Sequence, residues 1–172
     1  MALLEGNKIV ADRFVAVADD APLPDGTPVL VSLERWKAER ASLLGRNTEL
    51  GVRLKSEQPA EALAADLDRI ALVAVEFFKY RDGRGFTTAR ELRERFGYKG
   101  EIRALGHVIA DQYAFLRRCG FTQVEIAEGA KVETWVEALD KITIAYQPDF
   151  DSGCGTALLR RHLPAHTGVG EN

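Results

Sequence analysis

Three arginines, Arg81, Arg84 and Arg90, fall within ten residues in the stretch "YRDGRGFTTARELRERFG", among Gly83, Gly85, Thr87 and Thr88. Guanidinium groups recognise planar oxyanions through paired N–H donors. Glycines ahead of a helix leave its first N–H groups and positive dipole end open to an anion. These residue types therefore suit a phosphate, sulfate, sulfite or carboxylate. With Arg103 added, the four arginines would hold the anion, Thr87 and Thr88 would lend the helix start, and Asp82 and Asp111 would orient the guanidinium groups. A blander reading fits the same residues: a solvated loop in which Asp82 pairs with a neighbouring arginine. "GRGFTT" begins like a dinucleotide fingerprint, but Thr88 stands where the third glycine belongs, and the lysine of a P-loop is missing.

Other candidate chemistry is sparser. Glu76 near a strand end and His107 at a strand–helix junction are the candidate general bases, although a lone exposed histidine more often has no chemical role. Cys119, just ahead of Gly120, reads as a buried structural thiol rather than a nucleophile. Cys154, His162 and His166 include a His-x₃-His spacing that could suggest a metal. Pro164 interrupts it, so no metal or cofactor is expected.

These residues need elements to position them. From residue 28 onward short apolar strands alternate with amphipathic helices. The strands are expected at 29–33, 50–54, 70–77, 101–105, 123–127 and 142–146, the helices near 34–44, 60–67, 88–96, 108–119 and 131–141. Such alternation indicates βαβ units and a parallel sheet buried on both faces. Thr88 and Glu91 are placed for a capping box at the start of the third helix. Residues 8–19 read as a hairpin or an extra edge strand. The predicted organisation is an N-terminal β extension with a turn-rich connection (1–27), an α/β core (28–147), and a short helix with a flexible tail (148–172).

Charges interrupt four of the strands. Arg53, Glu76, Arg103 and Glu125 alternate in sign, and buried charge is costly unless paired. Strands lying side by side in chain order would turn them into an ion-pair ladder across one face. Chain order is what a barrel-like sheet provides, whereas a doubly wound sheet reverses partway. The favoured fold is therefore α/β, with a mainly parallel, partial TIM-barrel-like sheet of about six strands. A doubly wound open sheet is the alternative. A half-barrel invites closure by a second copy, so a symmetric homodimer is one expectation.

The chain has 172 residues, 46% hydrophobic and 28% charged, with a formal net charge of −3. That suits one domain with a sizeable core. The mixed, mildly acidic charge does not suggest a nucleic-acid footprint. The longest apolar run, "IALVAV", is too short for a membrane span. Glu5 breaks the apolar start and makes a poor signal peptide, and two cysteines cannot supply a disulfide framework. A cytoplasmic protein is expected.

The segments "LGVRL", "DLDRIALVAVEF", "YRDGRGFTTARELRERFGYKGEIRALG" and "DQYAFLRRCGF", between about residues 48 and 126, resemble an uncharacterised bacterial family, the domain of unknown function 934 family. "VLVSLERW" and "YQP" extend the likeness over most of the chain. The shared motif falls on Asp82, Gly83, Arg84, Arg90, Leu92, Arg93, Glu101, Arg103, Gly106, Asp111, Gln112, Arg118, Gly120 and Phe121, while the family often has another residue where Gly85 stands. Members are typically encoded beside genes for assimilatory sulfate and sulfite reduction, and are often labelled oxidoreductases on that basis, with no established reaction. The resemblance thus implies an accessory protein of sulfite reduction, binding a small anion or docking on sulfite reductase or related sulfur-assimilation proteins. An oxidoreductase or lyase-like enzyme acting on an anionic small molecule is the alternative, and a structural adaptor without a ligand is a third. Two cysteines are too few to ligate an iron–sulfur cluster alone.

Overall fold

The computed structural model describes residues 1–140. The strand expected at 142–146, the end of the last core helix, the tail, and with them Cys154, His162 and His166, lie outside the described residues. Eight strands form one sheet: β1 (Ala2–Glu5), β2 (Lys8–Val10), β3 (Val15–Ala16), β4 (Val29–Ser32), β5 (Leu50–Lys55), β6 (Leu72–Phe77), β7 (Glu101–Gly106) and β8 (Gln123–Ile126). Their spatial order is β2-β1-β8-β7-β6-β5-β4-β3. Neighbours from β3 to β8 run parallel, and β1 and β2 add antiparallel at the β8 edge. The parallel strands follow chain order without reversal, so the doubly wound alternative falls.

Among the described residues the sheet has eight strands, five of the six expected and three more from residues 2–16. The stretch read as a hairpin or one edge strand is split: β2 pairs with β1 at one edge, while β3 pairs with β4 at the other. That split dictates the curvature. Seven inter-strand gaps at ~4.8 Å would separate the edges of a flat sheet by about 34 Å. The chain from Val10 to Val15 can span only about 18 Å. The sheet must curl into a half-barrel, with residues 11–14 crossing its concave side as a strap.

Helices cover the outer face: α1 (Leu33–Leu44), α2 (Arg84–Arg90), α3 (Tyr113–Arg118) and α4 (Val132–Asp140). Ser32 caps α1, its Oγ accepting from the Arg35 N–H at 3.0 Å. Alternate strand residues Val31, Val52, Val73, Val75, Ile102 and Val124 pack outward with Trp36, Leu92, Tyr113 and Trp135 in the main core. The inner face holds a separate small cluster, Phe14 from the strap on Leu30, Leu72 and Ala74.

The sheet is therefore not buried on both faces, as a run of parallel strands suggested. Its inner positions carry the interrupting charges, and Arg53 and Glu76 are 44% and 30% exposed there. Three helices also depart from expectation. Residues 60–67 form short 3₁₀ turns, Ala60–Leu63 and Leu67–Arg69, and Ala110–Gln112 is a third ahead of α3. The helix expected at 88–96 begins four residues earlier and ends as a π-helical turn, Glu91–Arg95. Among the described residues no helix is long and apolar enough to cross a membrane.

Candidate anion-binding site

Strand β6 delivers the chain to the carboxyl rim of the sheet, where residues 78–83 turn into α2. Three contacts fix this loop. Asp82 N–H donates to the Lys79 carbonyl at 3.0 Å. Gln112 Nε2 donates to the Tyr80 carbonyl at 2.7 Å. Ser56 Oγ donates to Asp82 at 2.6 Å. Behind the loop, Gly85 lets α2 lie against the Phe77 ring, since a Cβ there would stand 2.6 Å from Phe77 Cζ.

The arginines proposed from sequence divide into free and committed. Arg84 is committed: its Nε and Nη2 donate to the two Asp82 oxygens at 2.9 and 2.7 Å. That pair, with the Ser56 hydroxyl, holds the Asp82 carboxyl well below the usual carboxylate range. Arg103 is committed too. Its side chain is 3% exposed, and Nη1 and Nη2 donate to Asp12 at 2.7 and 2.9 Å, while Nε donates to Gln123 at 3.1 Å. Arg103 therefore sits on the concave face beneath the strap and belongs to no loop site.

Arg90 pairs with Glu94 at 3.1 Å across one helical turn, an exposed contact of about 0.3–0.5 kcal/mol that a ligand readily replaces. Arg81 has no acidic partner among the described residues and only lies over the Tyr80 ring at 5.3 Å.

Thr88 does not cap α2. Gly83 precedes the helix, and the buried Thr88 hydroxyl donates back to the Arg84 carbonyl at 3.2 Å. The Thr88–Glu91 capping box is thus absent, because the helix starts a full turn upstream. Asp111 is exposed on the turn before α3. The charge ladder reduces to one rung, Arg53 Nε to Glu76 at 3.9 Å. Register explains why: Arg103 stands opposite Ala74 and Gln123, and the strap's Asp12 takes its guanidinium.

Arg81, Thr87 and Arg90 do converge. With Tyr80, Gly83, Phe86, Gln112 and Phe115 they line a cleft of about 480 Å³. Its apolar floor is the Phe86–Phe115 pair, with centroids 4.7 Å apart. His107 lies beyond Tyr80, in adjoining depressions with Phe78 and Lys79 on one side and Ile109 and Glu125 on the other. Glu76 stays with Arg53 on the inner face, whereas His107 shares the depression beside the cleft with Phe78, Lys79, Tyr80 and Arg81.

Among the other displaced proton equilibria, those of Cys119 and Arg93 belong to buried structural side chains. Burial raises the Cys119 thiol to about 11, leaving little thiolate at neutral pH. Arg93 is buried, with its affinity for the proton lowered by desolvation. It donates to the carbonyls of Gly120 at 2.9 and 3.1 Å, Tyr98 at 2.7 Å and Gly100 at 2.8 Å. Sequence reasoning recorded Arg93 only as a motif position. Its role as the knot joining the π turn, the entry to β7 and the end of α3 had no local signal.

These contacts define a class: a curled, mostly parallel α/β half-barrel with a cationic, aromatic-walled cleft on its carboxyl rim. The chain belongs to a bacterial family of unknown function, DUF934, whose profile matches residues 51–155. No curated protein matches the chain.

Proposed function

We propose that this chain is a cytoplasmic accessory protein of assimilatory sulfate and sulfite reduction that binds a small anion in the cleft between Tyr80 and Phe115. The observation that carries the reading is the convergence of Arg81, Thr87 and Arg90, with Arg81 lacking an acidic partner among the described residues. A guanidinium free of carboxylates attracts an oxyanion, and Thr87 adds a hydroxyl donor. The link to sulfur metabolism rests on the gene neighbourhood implied by the family resemblance. Docking on sulfite reductase or a related protein belongs to the same reading, with exposed Phe78, Tyr80 and Ile109 as apolar contacts beside the cleft. The half-barrel is read as part of a TIM-like barrel, completed in a homodimer.

The test is thermal melting with sulfite, sulfate, phosphate and small carboxylates. Ligand that binds only the native state raises the melting temperature by mass action. A saturating shift lost in Arg81→Ala and weakened in Arg90→Ala, but kept in Arg84→Ala, is the expected outcome. No shift with any anion refutes the site. The enzyme alternative has less behind it, because Glu76 pairs with Arg53 on the inner face and His107 meets Arg81 in a depression beside the cleft, not within it.

A further inference from the structure

The cleft is large for an inorganic anion. A tetrahedral oxyanion takes up roughly the space of two waters, about 60 Å³, whereas the cleft offers about 480 Å³, a size usual for organic ligands. Its walls are unlike those of a bare anion site as well. Phe86 and Phe115 pack together in its lining, Tyr80 lines it as well and is 49% exposed, and Arg81 and Arg90 supply the charge. Tyr80 also lines both depressions that continue past it toward Phe78, His107 and Ile109. Arg81 already lies over one face of the Tyr80 ring at 5.3 Å, so a ligand anchored at Arg81 and Arg90 that extends beyond the anion meets the rest of that half-exposed ring.

From this we infer that the anion belongs to a molecule with a planar aromatic ring: the ligand class is a phosphate or sulfate monoester bearing such a ring, with aryl esters and nucleoside monophosphates as members. The inference rests on the anion reading above and narrows it. The oxyanion takes the Arg81 and Arg90 guanidinium groups and the Thr87 hydroxyl, and the ring stacks on Tyr80. Stacking tolerates any flat π-face, so this recognition needs no nucleotide motif, and the sequence has none.

Isothermal titration with AMP, phenyl phosphate, inorganic phosphate and sulfate separates the parts. AMP and phenyl phosphate are expected to bind at least about tenfold more tightly than phosphate, the scale that one stacked ring provides. Tyr80→Ala should remove that advantage and leave phosphate affinity unchanged, while Arg81→Ala should weaken every ligand. Far-UV circular dichroism checks that both variants fold, as expected for two exposed side chains. Equal affinity for AMP and phosphate, or an advantage that survives Tyr80→Ala, overturns the aromatic inference and leaves the anion reading standing. No binding by any of the four probes overturns both.

Discussion

Asp12→Ala tests the most unusual feature of the fold, the strap across the concave face. Arg103 is buried at the centre of the sheet with its side chain 3% exposed, and its carboxylate partner comes from a residue 45% exposed on the strap. Removing one member of a buried ion pair costs about 3–5 kcal/mol, because the other charge is left without compensation. Water can enter where the half-exposed carboxylate was, and Gln123 still accepts from Arg103 Nε at 3.1 Å. The expected loss is therefore at the low end, about 3 kcal/mol, or roughly 6–12 °C in melting temperature for a chain of this size. Urea unfolding is the assay, with a lower midpoint and an unchanged slope expected. Arg103→Met in the Asp12→Ala background should recover much of the loss, since replacing both partners leaves no buried charge. A loss below about 1 kcal/mol in Asp12→Ala, or a double variant no better than the single, would refute the claim that the strap neutralises Arg103.

Two further predictions concern the rim and the alkaline limit. Gly106 has φ +84, and a Cβ there would stand 2.6 Å from the Phe77 carbonyl oxygen. Gly106→Ala combines a left-handed backbone with a main-chain clash and should lose at least about 2 kcal/mol in urea unfolding; a neutral variant would show that the β6–β7 rim can relax. Burial raises the Tyr98 phenol above its ordinary value. Above pH ~10 the unfolded chain then holds fewer protons than the folded one, so stability falls as pH rises. Cys119, pushed up to about 11, adds a loss that begins nearer pH 8.5. Tyr98→Phe should lose about 1 kcal/mol at neutral pH with its hydrogen bond to the Ile70 carbonyl, and its stability should decline less steeply between pH 9 and 11. An unchanged alkaline slope would remove Tyr98 from that account.

The sequence made the core strands legible because their periodicity is local. β4 to β8 fall where apolar runs bounded by polar breaks put them, and chain order followed from charges recurring at similar spacing. What it concealed was long-range. Nothing in "KIVADRFVAV" announces that two strands separated by four residues sit at opposite edges of one sheet. Hence the curvature, the strap and the true partner of Arg103 were out of reach, and the ladder was assigned to neighbouring strands. The same limit applied at the loop. Arginines crowd there in sequence, but which of them are free depends on carboxylates that local spacing only partly reveals. Asp82 lies two residues from Arg84 and could be suspected, whereas Asp12 is 91 residues from Arg103 and could not.

Charge committed to structure is charge withheld from a ligand, and this division narrows the site more than any motif does. Arg84, Arg93 and Arg103, three of the arginines in the motif the resemblance suggests, are each engaged by the chain itself: one by a carboxylate in its own loop, one by the carbonyls of Gly120, Tyr98 and Gly100, one by the strap. Arg81 lies outside the motif the resemblance suggests, yet it lines the aromatic cleft with no carboxylate upon it among the described residues. Arg90, a position the resemblance also includes, joins Arg81 in the cleft, so the expectation is an anion site common to the family with its preference tuned by residues such as Arg81 on the rim. Swapping the rim segment 78–81 between family members should then transfer the anion preference measured by titration without moving the urea midpoint. A midpoint that moves while the preference stays would place recognition elsewhere.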